Sequence, residues 1–222
     1  MKKKTVAIVP AFNEETTIGR VVKKLFKYVD NVIVVSDGSK DNTIKIAKKN
    51  KAIVLKNIIN KGPDKAIQKG VNKAQKLKYQ FIVIFDADDQ HPYEKIPFFI
   101  KKLTQNKADI VVASRDKFPR FSEYIFSFYS NLKINVHDPI NGFKAFKSKL
   151  IKEIGYFDNI NGMTSQILFN AKKKGFKICS VPIKVKKRID EPRIGGLFKS
   201  NFKILRSLIR IFLNDMFKNE RN

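Results

Sequence analysis

The chain has 222 residues, of which 43% are hydrophobic, and a formal net charge of +26 at pH 7. That length suits one α/β domain with a sizeable core. The single cysteine, Cys179, excludes an intramolecular disulfide framework, and the two histidines argue against a histidine-rich metal site. The basic N-terminus leads into too short an apolar run for a signal peptide, and no apolar run reaches the roughly 18 residues of a membrane span. We therefore expect a cytoplasmic chain without a spanning segment.

The positive charge points to anionic partners. A field of this sign attracts nucleotides, phospholipid headgroups and nucleic acid. Lysines are spread along the whole chain, so part of the charge is also expected on ordinary solvated surface. The charge alone therefore names no partner.

Short apolar runs alternate with helical periodicity along the first half of the chain. Strands are predicted at 5–9, 31–35, 52–55, 81–85 and 109–113, and helices at 16–26, 41–49, 65–75 and 96–103. This order predicts a mostly parallel sheet flanked by helices, with right-handed crossovers. After Arg115 the pattern is less regular, with helices predicted at 122–132, 163–174 and 198–217 and a strand at 177–185. We expect a single domain at 1–195 followed by a helix within 196–222.

Polar segments follow each predicted strand of the first half. They are PAFNE, SDGSKDN, NKGPDK, DADDQ and SRDK, in chain order. Ligands of parallel α/β sheets bind beyond the carboxyl ends of the strands. The spacing of the P-loop and the G-x-G-x-x-G pattern of dinucleotide-binding folds are both absent from the sequence. These segments therefore predict a ligand site of another kind.

The acidic segment after the fourth strand is the strongest candidate for a metal site. Asp86 and Asp88 alternate where the strand ends, so their carboxylates can project together as the chain turns. With the carbonyl of Gln90 they suit Mg²⁺ or Mn²⁺, which also accept diphosphate oxygens. The alternative is an acidic turn whose aspartates cap the following helix. An acidic cluster in so basic a chain favours the metal.

The segments after the first two strands are candidates for nucleotide binding. Pro10 and Ala11 leave room for a flat base or ribose to approach the backbone. Glu14 could accept hydrogen bonds from ribose hydroxyls or complement the dipole of the next helix, and both roles stay open. Asp37, before a glycine, is predicted to meet a base edge, whereas Asp41 is predicted to cap the next helix.

Taken together, PAFNE, SDGSKDNT, NKGPDKAIQKG, DADDQHP, ASR and DPINGFKAF resemble the family-two glycosyltransferases of GT-A (Rossmann-like) fold, and above all their dolichyl-phosphate mannosyltransferase branch. The resemblance covers roughly residues 5–195. It implies inverting transfer of a sugar from a nucleoside diphosphate to a polyprenyl phosphate.

The resemblance also implies roles for residues on the donor side. The nucleotide pocket would be lined by Pro10, Phe12, Glu14, Val35 and Asp37. Nucleotide and sugar would touch Asp86 and Ala87, and the metal would be held by Asp88 and Gln90.

On the acceptor side the resemblance implies three arginines. Arg115 and Arg120 would face the acceptor phosphate or the leaving diphosphate, and Arg188 would close over the diphosphate. The family pattern R-x-x-G-x-S-K reads RIDEPRIGG here, so Arg193 would replace its lysine. A family glutamate near the helix at 163–174 is replaced around Gln166.

The chemistry of the acceptor decides whether a base is needed. A phosphate is already ionised near pH 7, so it needs cations, for which arginines are well suited. A sugar hydroxyl would need a carboxylate base, for which Asp138 is the candidate. The more favoured role of Asp138 is to cap the turn in HDPING.

The C-terminal segment is predicted to form a basic amphipathic helix. Its apolar stripe is Phe198, Phe202, Leu205, Ile209, Phe212 and Met216, and its basic stripe is Lys199, Lys203, Arg206 and Arg210. Such a helix suits peripheral binding to an anionic membrane surface, here at the cytoplasmic face. The alternative is a helix that packs on the catalytic domain.

Three hypotheses follow for function. The leading one is a hexosyltransferase using GDP-mannose or UDP-glucose, mannose being favoured, with a polyprenyl phosphate acceptor. The second is a glycosyltransferase that acts on a saccharide or protein hydroxyl. The third is a nucleic-acid-binding protein, which the lack of aromatic-interleaved basic motifs disfavours.

Overall fold

The computed structural model describes residues 4–154, 164–186 and 197–219. The strands are β1 (Thr5–Ala11), β2 (Asn31–Asp37), β3 (Ile53–Asn57), β4 (Phe81–Ile84), β5 (Ile110–Arg115), β6 (Lys144–Lys147) and β7 (Ile178–Ile183). The α-helices are α1 (Ile18–Leu25), α2 (Thr43–Lys49), α3 (Pro63–Lys76), α4 (Ile96–Thr104), α5 (Phe121–Ile134), α6 (Leu150–Ile154), α7 (Gln166–Lys173) and α8 (Leu197–Asn219). A 3₁₀ turn at Tyr93–Lys95 precedes α4.

The strands form one seven-stranded sheet in the order β3-β2-β1-β4-β6-β5-β7. All neighbouring pairs are parallel except those of β6, which runs antiparallel to both β4 and β5. The mostly parallel α/β architecture predicted from the sequence is thereby confirmed. Parallel strands covered on both faces are apolar nearly throughout, as β1, β2 and β4 are.

Two apolar cores lie on opposite faces of the sheet. Alternate residues of β1 divide between them, with Val6 and Ile8 on the face covered by α3, and Ala7 and Val9 on the face covered by α1. Helix α3 approaches its face closely at Gly70, where a Cβ atom would lie 2.5 Å from a methyl group of Ile8. The close approach explains why this buried helical position carries no side chain.

Several elements depart from the prediction. The prediction missed both β6 and α6, since the four residues of β6 include two lysines and show no simple apolar alternation. The helix predicted at 163–174 begins at Gln166, and Met163 lies outside the described residues. Helix α1 begins at Ile18, two residues later than predicted.

Helix α8 packs against α5 and shares the core on the α3 side of the sheet. Its side chains are described from 200 to 214, and the buried ones are Ser200, Ile204, Ser207 and Ile211. This stripe differs from the predicted apolar stripe, which stays on the outer side at Phe202, Ile209 and Phe212. Among the described residues, no helix combines the length and the apolar composition that crossing a bilayer requires.

Candidate active site

Asp86 lies just beyond β4, and one of its carboxylate oxygens has no donor among the described residues. Its Oδ2 accepts a hydrogen bond from Nε2 of His91 at 2.8 Å, whereas no donor among the described residues reaches Oδ1. Burial raises the pKa of this carboxyl, but the His91 hydrogen bond and the nearby charges of Lys144 and Arg115 lower it by more. Asp86 is therefore an ionised carboxylate with one oxygen available to a ligand.

The His91 ring is positioned so that, among the described residues, it hydrogen-bonds only to Asp86. It is buried and lies beside the rings of Phe85 and Phe143, at centroid distances of 5.4 and 5.6 Å. Its Nδ1 is also buried and has no hydrogen-bond partner in the described part of the chain. A proton on Nδ1 would thus be an unsatisfied donor, so the ring donates from Nε2 to the carboxylate.

Gly142 makes room for the Asp86 carboxylate. A Cβ atom at this glycine would lie 2.1 Å from Oδ1 and 2.2 Å from Oδ2 of Asp86. The segment before β6 thus touches the acidic loop after β4 through bare backbone. His91 on one side and Gly142 on the other fix the orientation of the carboxylate.

The other two predicted metal ligands lie in the same loop. Asp88 is half-buried, and its Oδ1 accepts a 3.2 Å hydrogen bond from the backbone N–H of Gln90. The side-chain amide of Gln90 donates to the carbonyl of Lys186 at 2.9 Å, and the N–H of Lys186 donates back to the Gln90 carbonyl. Gln90 therefore ties the loop to the segment after β7, and its amide oxygen remains the group that could meet an ion.

The third aspartate of the loop, Asp89, has a structural role. Its backbone has a φ of +63°, and its buried carboxylate accepts from Lys24 and from the hydroxyl of Tyr93 and pairs with Arg20. Burial raises the pKa of Asp89, but these partners lower it by more. Asp89 thus anchors the loop to α1.

The donor set fits a divalent cation that is completed by its substrate. In residues 4–154, 164–186 and 197–219, no three Asp, Glu, His or Cys side chains converge as an all-protein metal site would require. Mg²⁺ and related ions are commonly held by one or two carboxylates plus substrate phosphates and water. Asp86 and Asp88 supply that number of carboxylates. These residues therefore suit an ion whose remaining coordination positions are filled by diphosphate oxygens and water.

The loops after β1 and β2 are joined into one rim. The N–H of Asn13 donates to Ser39, the N–H of Lys40 donates to the Asn13 side chain, and the N–H of Glu15 donates to Asp41. An open depression of about 480 Å³ lies here, lined by Asn13, Glu15, Thr16, Lys40 and Asp41. Its position beyond the carboxyl ends of two parallel strands is where such sheets bind ligands.

The structure corrects one predicted pocket residue on these strands. Val35 pairs with Pro10 across β1 and β2, but its side chain is 0% exposed and packs beneath α3. It therefore cannot line a nucleotide pocket with its side chain. Phe12 is half-buried in the rim, and Ala87 is buried beside Asp86.

The other polar residues of the rim are strongly tied to the protein. Asp37 is buried and accepts hydrogen bonds from Asn57 and from the N–H groups of Lys61 and Gly62. Its contact with a base stays a prediction, and its visible role is to hold the turn before α3. Asp41 accepts from the N–H and hydroxyl of Thr43, the first residue of α2, although the N-cap position itself is occupied by Asn42 and not by Asp41 as predicted.

Glu14 is likewise buried at the start of the helix that follows. Its carboxylate accepts from the hydroxyl of Thr17 at 3.0 Å, and its N–H donates to the hydroxyl of Thr43 at 2.8 Å. This placement suits the helix-start alternative, while a ribose contact remains a prediction.

Arg115 and Arg120, the two described arginines predicted for the acceptor side, lie together and are paired with buried carboxylates. Arg115 makes three hydrogen bonds to Asp138, two of them from its guanidinium, and a fourth to Glu123. Arg120 donates to the other oxygen of Glu123, and its Nε is buried without a partner in the described part of the chain. Burial lowers the pKa of Arg115, but the two carboxylates raise it by more. Phosphate contact by either arginine stays a prediction.

Asp138 is a structural carboxylate. It is fully buried and also accepts from the side chain of Asn141, three residues on. Burial raises its pKa, yet the hydrogen bonds and charge of Arg115 lower it by more. Because the Arg115 guanidinium binds this carboxylate and lowers its pKa, Asp138 is a weak base for an acceptor hydroxyl, and its bond to Asn141 supports the turn-capping role.

Lys144 belongs to the site and was not identified from the sequence. It is fully buried in β6, and its Nζ donates to the carbonyl of Asn141 and, at 2.8 Å, to the hydroxyl of Thr164. Burial lowers its pKa to about 8, against the opposing charges of Asp138, Asp86 and Asp64. Only its place in the NGFKAF motif could have signalled it.

Comparison with known proteins identifies the family. The model of "Glycosyl transferase family 2" matches residues 6–155. The chain belongs to glycosyl transferase family 2. The matched range runs from β1 to the end of α6, so it includes the acidic loop, Arg115 and the segment before β6.

The curated relatives of this family 2 chain include two that have names specifying a reaction and that match over most of both lengths. A UDP-N-acetylglucosamine–dolichyl-phosphate N-acetylglucosaminyltransferase of Methanococcus voltae is 33% identical, with 80% of this chain and 83% of the relative covered. A dolichyl-phosphate hexose transferase of Haloferax volcanii is 25% identical, with 94% and 93% covered.

The family 2 chain also matches solved structures. Glucosyl-3-phosphoglycerate synthase of Mycobacterium tuberculosis, solved with Mn²⁺, uridine diphosphate and glucosyl-3-phosphoglycerate, has a TM-score of 0.78 at 19% identity, over 94% of this chain and 78% of that one. The match confirms the GT-A-like fold. Arg188 and Arg193 lie outside the described residues, whereas Gln166 is buried at the start of α7.

Proposed function

We propose that this family 2 chain transfers a hexose, mannose in the first place, from a nucleoside diphosphate sugar to a polyprenyl phosphate. The observation that carries the proposal is the Asp86 carboxylate, fixed by His91 and Gly142 with one oxygen left for a ligand. The names of the two curated relatives, both dolichyl-phosphate glycosyltransferases, support a lipid phosphate as acceptor.

Asp86, Asp88 and Gln90 would hold Mg²⁺ or Mn²⁺ together with the donor diphosphate. When bound, the ion would neutralise negative charge on the departing nucleoside diphosphate. Pro10, Phe12, Glu14 and Asp37 would border the nucleotide.

The state of the acidic groups favours a phosphate acceptor over a hydroxyl. An oxygen of the phosphate forms the new bond to the anomeric carbon from the face opposite the breaking bond, which inverts the configuration. Such an oxygen needs no base, and both carboxylates beside Arg115, those of Asp138 and Glu123, are already bound to arginines. Arg115 and Arg120 would attract the acceptor, with Arg188 and Arg193 on the leaving diphosphate.

Helix α8 would hold the enzyme peripherally at the cytoplasmic membrane face. Phe202, Ile209 and Phe212 are exposed, and so are Lys203 and Arg206. Exposed apolar groups among cations suit an anionic lipid interface.

The proposal is tested by a transfer assay. Purified protein is given labelled GDP-mannose, UDP-glucose or UDP-N-acetylglucosamine with a polyprenyl phosphate and Mn²⁺, and the label in the organic phase is measured. We expect a lipid-linked product with one donor, and at least a hundredfold slower transfer by Asp88→Ala, given the usual cost of lost electrostatic stabilisation, about 10² or more. Glu94→Ala, a nearby exposed carboxylate, is the matched control.

The distribution of the label decides between the alternatives. If a saccharide is added and the labelled product is that saccharide, found in the aqueous phase, the hypothesis of a hydroxyl acceptor is supported. If no sugar nucleotide gives a product with any lipid phosphate, the proposal is rejected.

A further inference from the structure

Helix α5 has its polar side inward and its apolar side outward. Its buried residues are Ser122, Glu123, Phe126, Ser127, Ser130 and Ile134, of which four are polar. Its exposed apolar residues are Phe121, Tyr124, Ile125, Phe128 and Leu132. Phe128 and Leu132 are 75% and 74% exposed. A helix on the surface of a water-soluble domain normally has the opposite arrangement.

The inward polar side is fully engaged, so the orientation of α5 is specified. Ser122 donates to the side chain of Asn201 on α8 at 2.6 Å, and Ser130 donates to the carbonyl of Val136 at 2.6 Å. Glu123 accepts from both arginines of the acceptor side. Rotating the helix to bury its apolar stripe would break these bonds and leave a buried carboxylate unpaired, which is strongly unfavourable.

The apolar surface continues from α5 onto α8. The two helices pack together, and the ring of Tyr129 lies 6.1 Å from that of Phe212. Phe202, Ile209, Phe212 and Leu213 add exposed apolar area on α8. We call this combined patch of nine exposed side chains, five on α5 and four on α8, the α5–α8 face. An exposed patch of this kind marks a binding surface.

The charges around the α5–α8 face are positive. Lys133 at the end of α5 and Lys203 and Arg206 on α8 are exposed. The only acidic residue of 121–134 is the buried Glu123, and 200–214 contains none. A partner must therefore offer apolar contact and negative charge together, which an anionic bilayer does and a second, equally positive copy of this chain does not.

We propose that the α5–α8 face is the surface by which the protein docks on an anionic lipid bilayer, with α5 inserting its aromatic stripe between the headgroups. Arg120 directly precedes Phe121, and Glu123 joins it to Arg115. This docking would place Arg115 and Arg120 at the edge of the docked surface. If the function proposed above holds, the phosphate of a membrane-embedded polyprenyl lipid would lie there.

The test measures sedimentation of the full chain with vesicles of equimolar phosphatidylcholine and phosphatidylglycerol. We expect Phe128→Ser to weaken binding by about tenfold or more, since burying a phenylalanine is commonly favourable by at least that factor. Phe98→Ser is the matched control, because Phe98 is an exposed aromatic on α4 and far from this face in the chain. Both variants should unfold at the wild-type temperature.

Each outcome separates the proposal from its rivals and from the proposed function. Vesicle binding needs no sugar donor, so it can succeed even if transfer of any sugar fails. Lack of wild-type binding, or equal loss in both variants, would overturn the docking surface. So would a wild-type dimer that Phe128→Ser makes monomeric with vesicle binding unchanged, because a second copy would then cover the face.

Discussion

Asp86 owes its orientation to two neighbours that are not ligands themselves. His91 holds one oxygen, and Gly142 leaves space that any larger residue would fill. Outer groups of this kind commonly tune a metal-binding carboxylate by an order of magnitude or more. The contacts of His91 and Gly142 with Asp86 therefore support the predicted metal site as much as the acidic residues do.

Gly142→Ala should displace the Asp86 carboxylate while leaving the fold intact. The new Cβ would lie 2.1 Å from Oδ1, and an aspartate side chain can rotate away where backbone could not. We expect Mn²⁺-dependent binding of a nucleoside diphosphate, measured by calorimetry, to weaken by about tenfold or more. His91→Phe should act likewise, whereas His91→Gln, which can still donate to the carboxylate, should retain most of the affinity. Unchanged affinity in Gly142→Ala would contradict the account.

At the scale of single residues, the sequence could not assign roles within the acidic loop. Asp86, Asp88 and Asp89 are chemically alike, and only tertiary contacts with Arg20 and Lys24 show that Asp89 faces α1. From the sequence alone, Lys144 is indistinguishable from an ordinary surface lysine, because only the structure shows that it is buried in β6.

At the scale of elements, the strands of the first half were predictable because each is an apolar run bounded by polar turns. Strand β6 was not, since its four residues are recognisable as a strand only when placed between β4 and β5. The inverted face of α5 was hidden for a related reason. Periodicity shows that a helix has two faces, and only the partners of Ser122 and Glu123 show which one is inside.

Asp37, the last residue of β2, holds the turn between β3 and α3. Three donors, two of them backbone N–H groups, converge on its buried carboxylate. Asp37→Ala should lower the free energy of unfolding by about 2 kcal/mol, because buried donors lose their acceptor. Asp116→Ala, at an exposed position, should change it little. Denaturant unfolding measures both, and equal stabilities would show that Asp37 is held for a ligand alone.

At the scale of the whole molecule, the sheet order brings the residues predicted for the donor side and for the acceptor side together. Strand β6 lies between β4 and β5, and the segment before it contacts Asp86 through Gly142 and Arg115 through Asp138. Helix α5 follows Arg115 and carries the apolar face outward. One continuous path therefore leads from the acidic loop to the surface proposed to meet the membrane.

We propose above that the acidic loop after β4 binds a divalent cation together with a nucleoside diphosphate. The most direct measurement is anomalous diffraction from crystals soaked with Mn²⁺ and uridine or guanosine diphosphate. We predict a manganese peak within coordination distance of Asp88 or Asp86, about 2.0–2.2 Å as for comparable small divalent ions, with diphosphate oxygens completing its shell. Diphosphate bound elsewhere, or bound at this loop with no manganese beside either aspartate, would contradict the account.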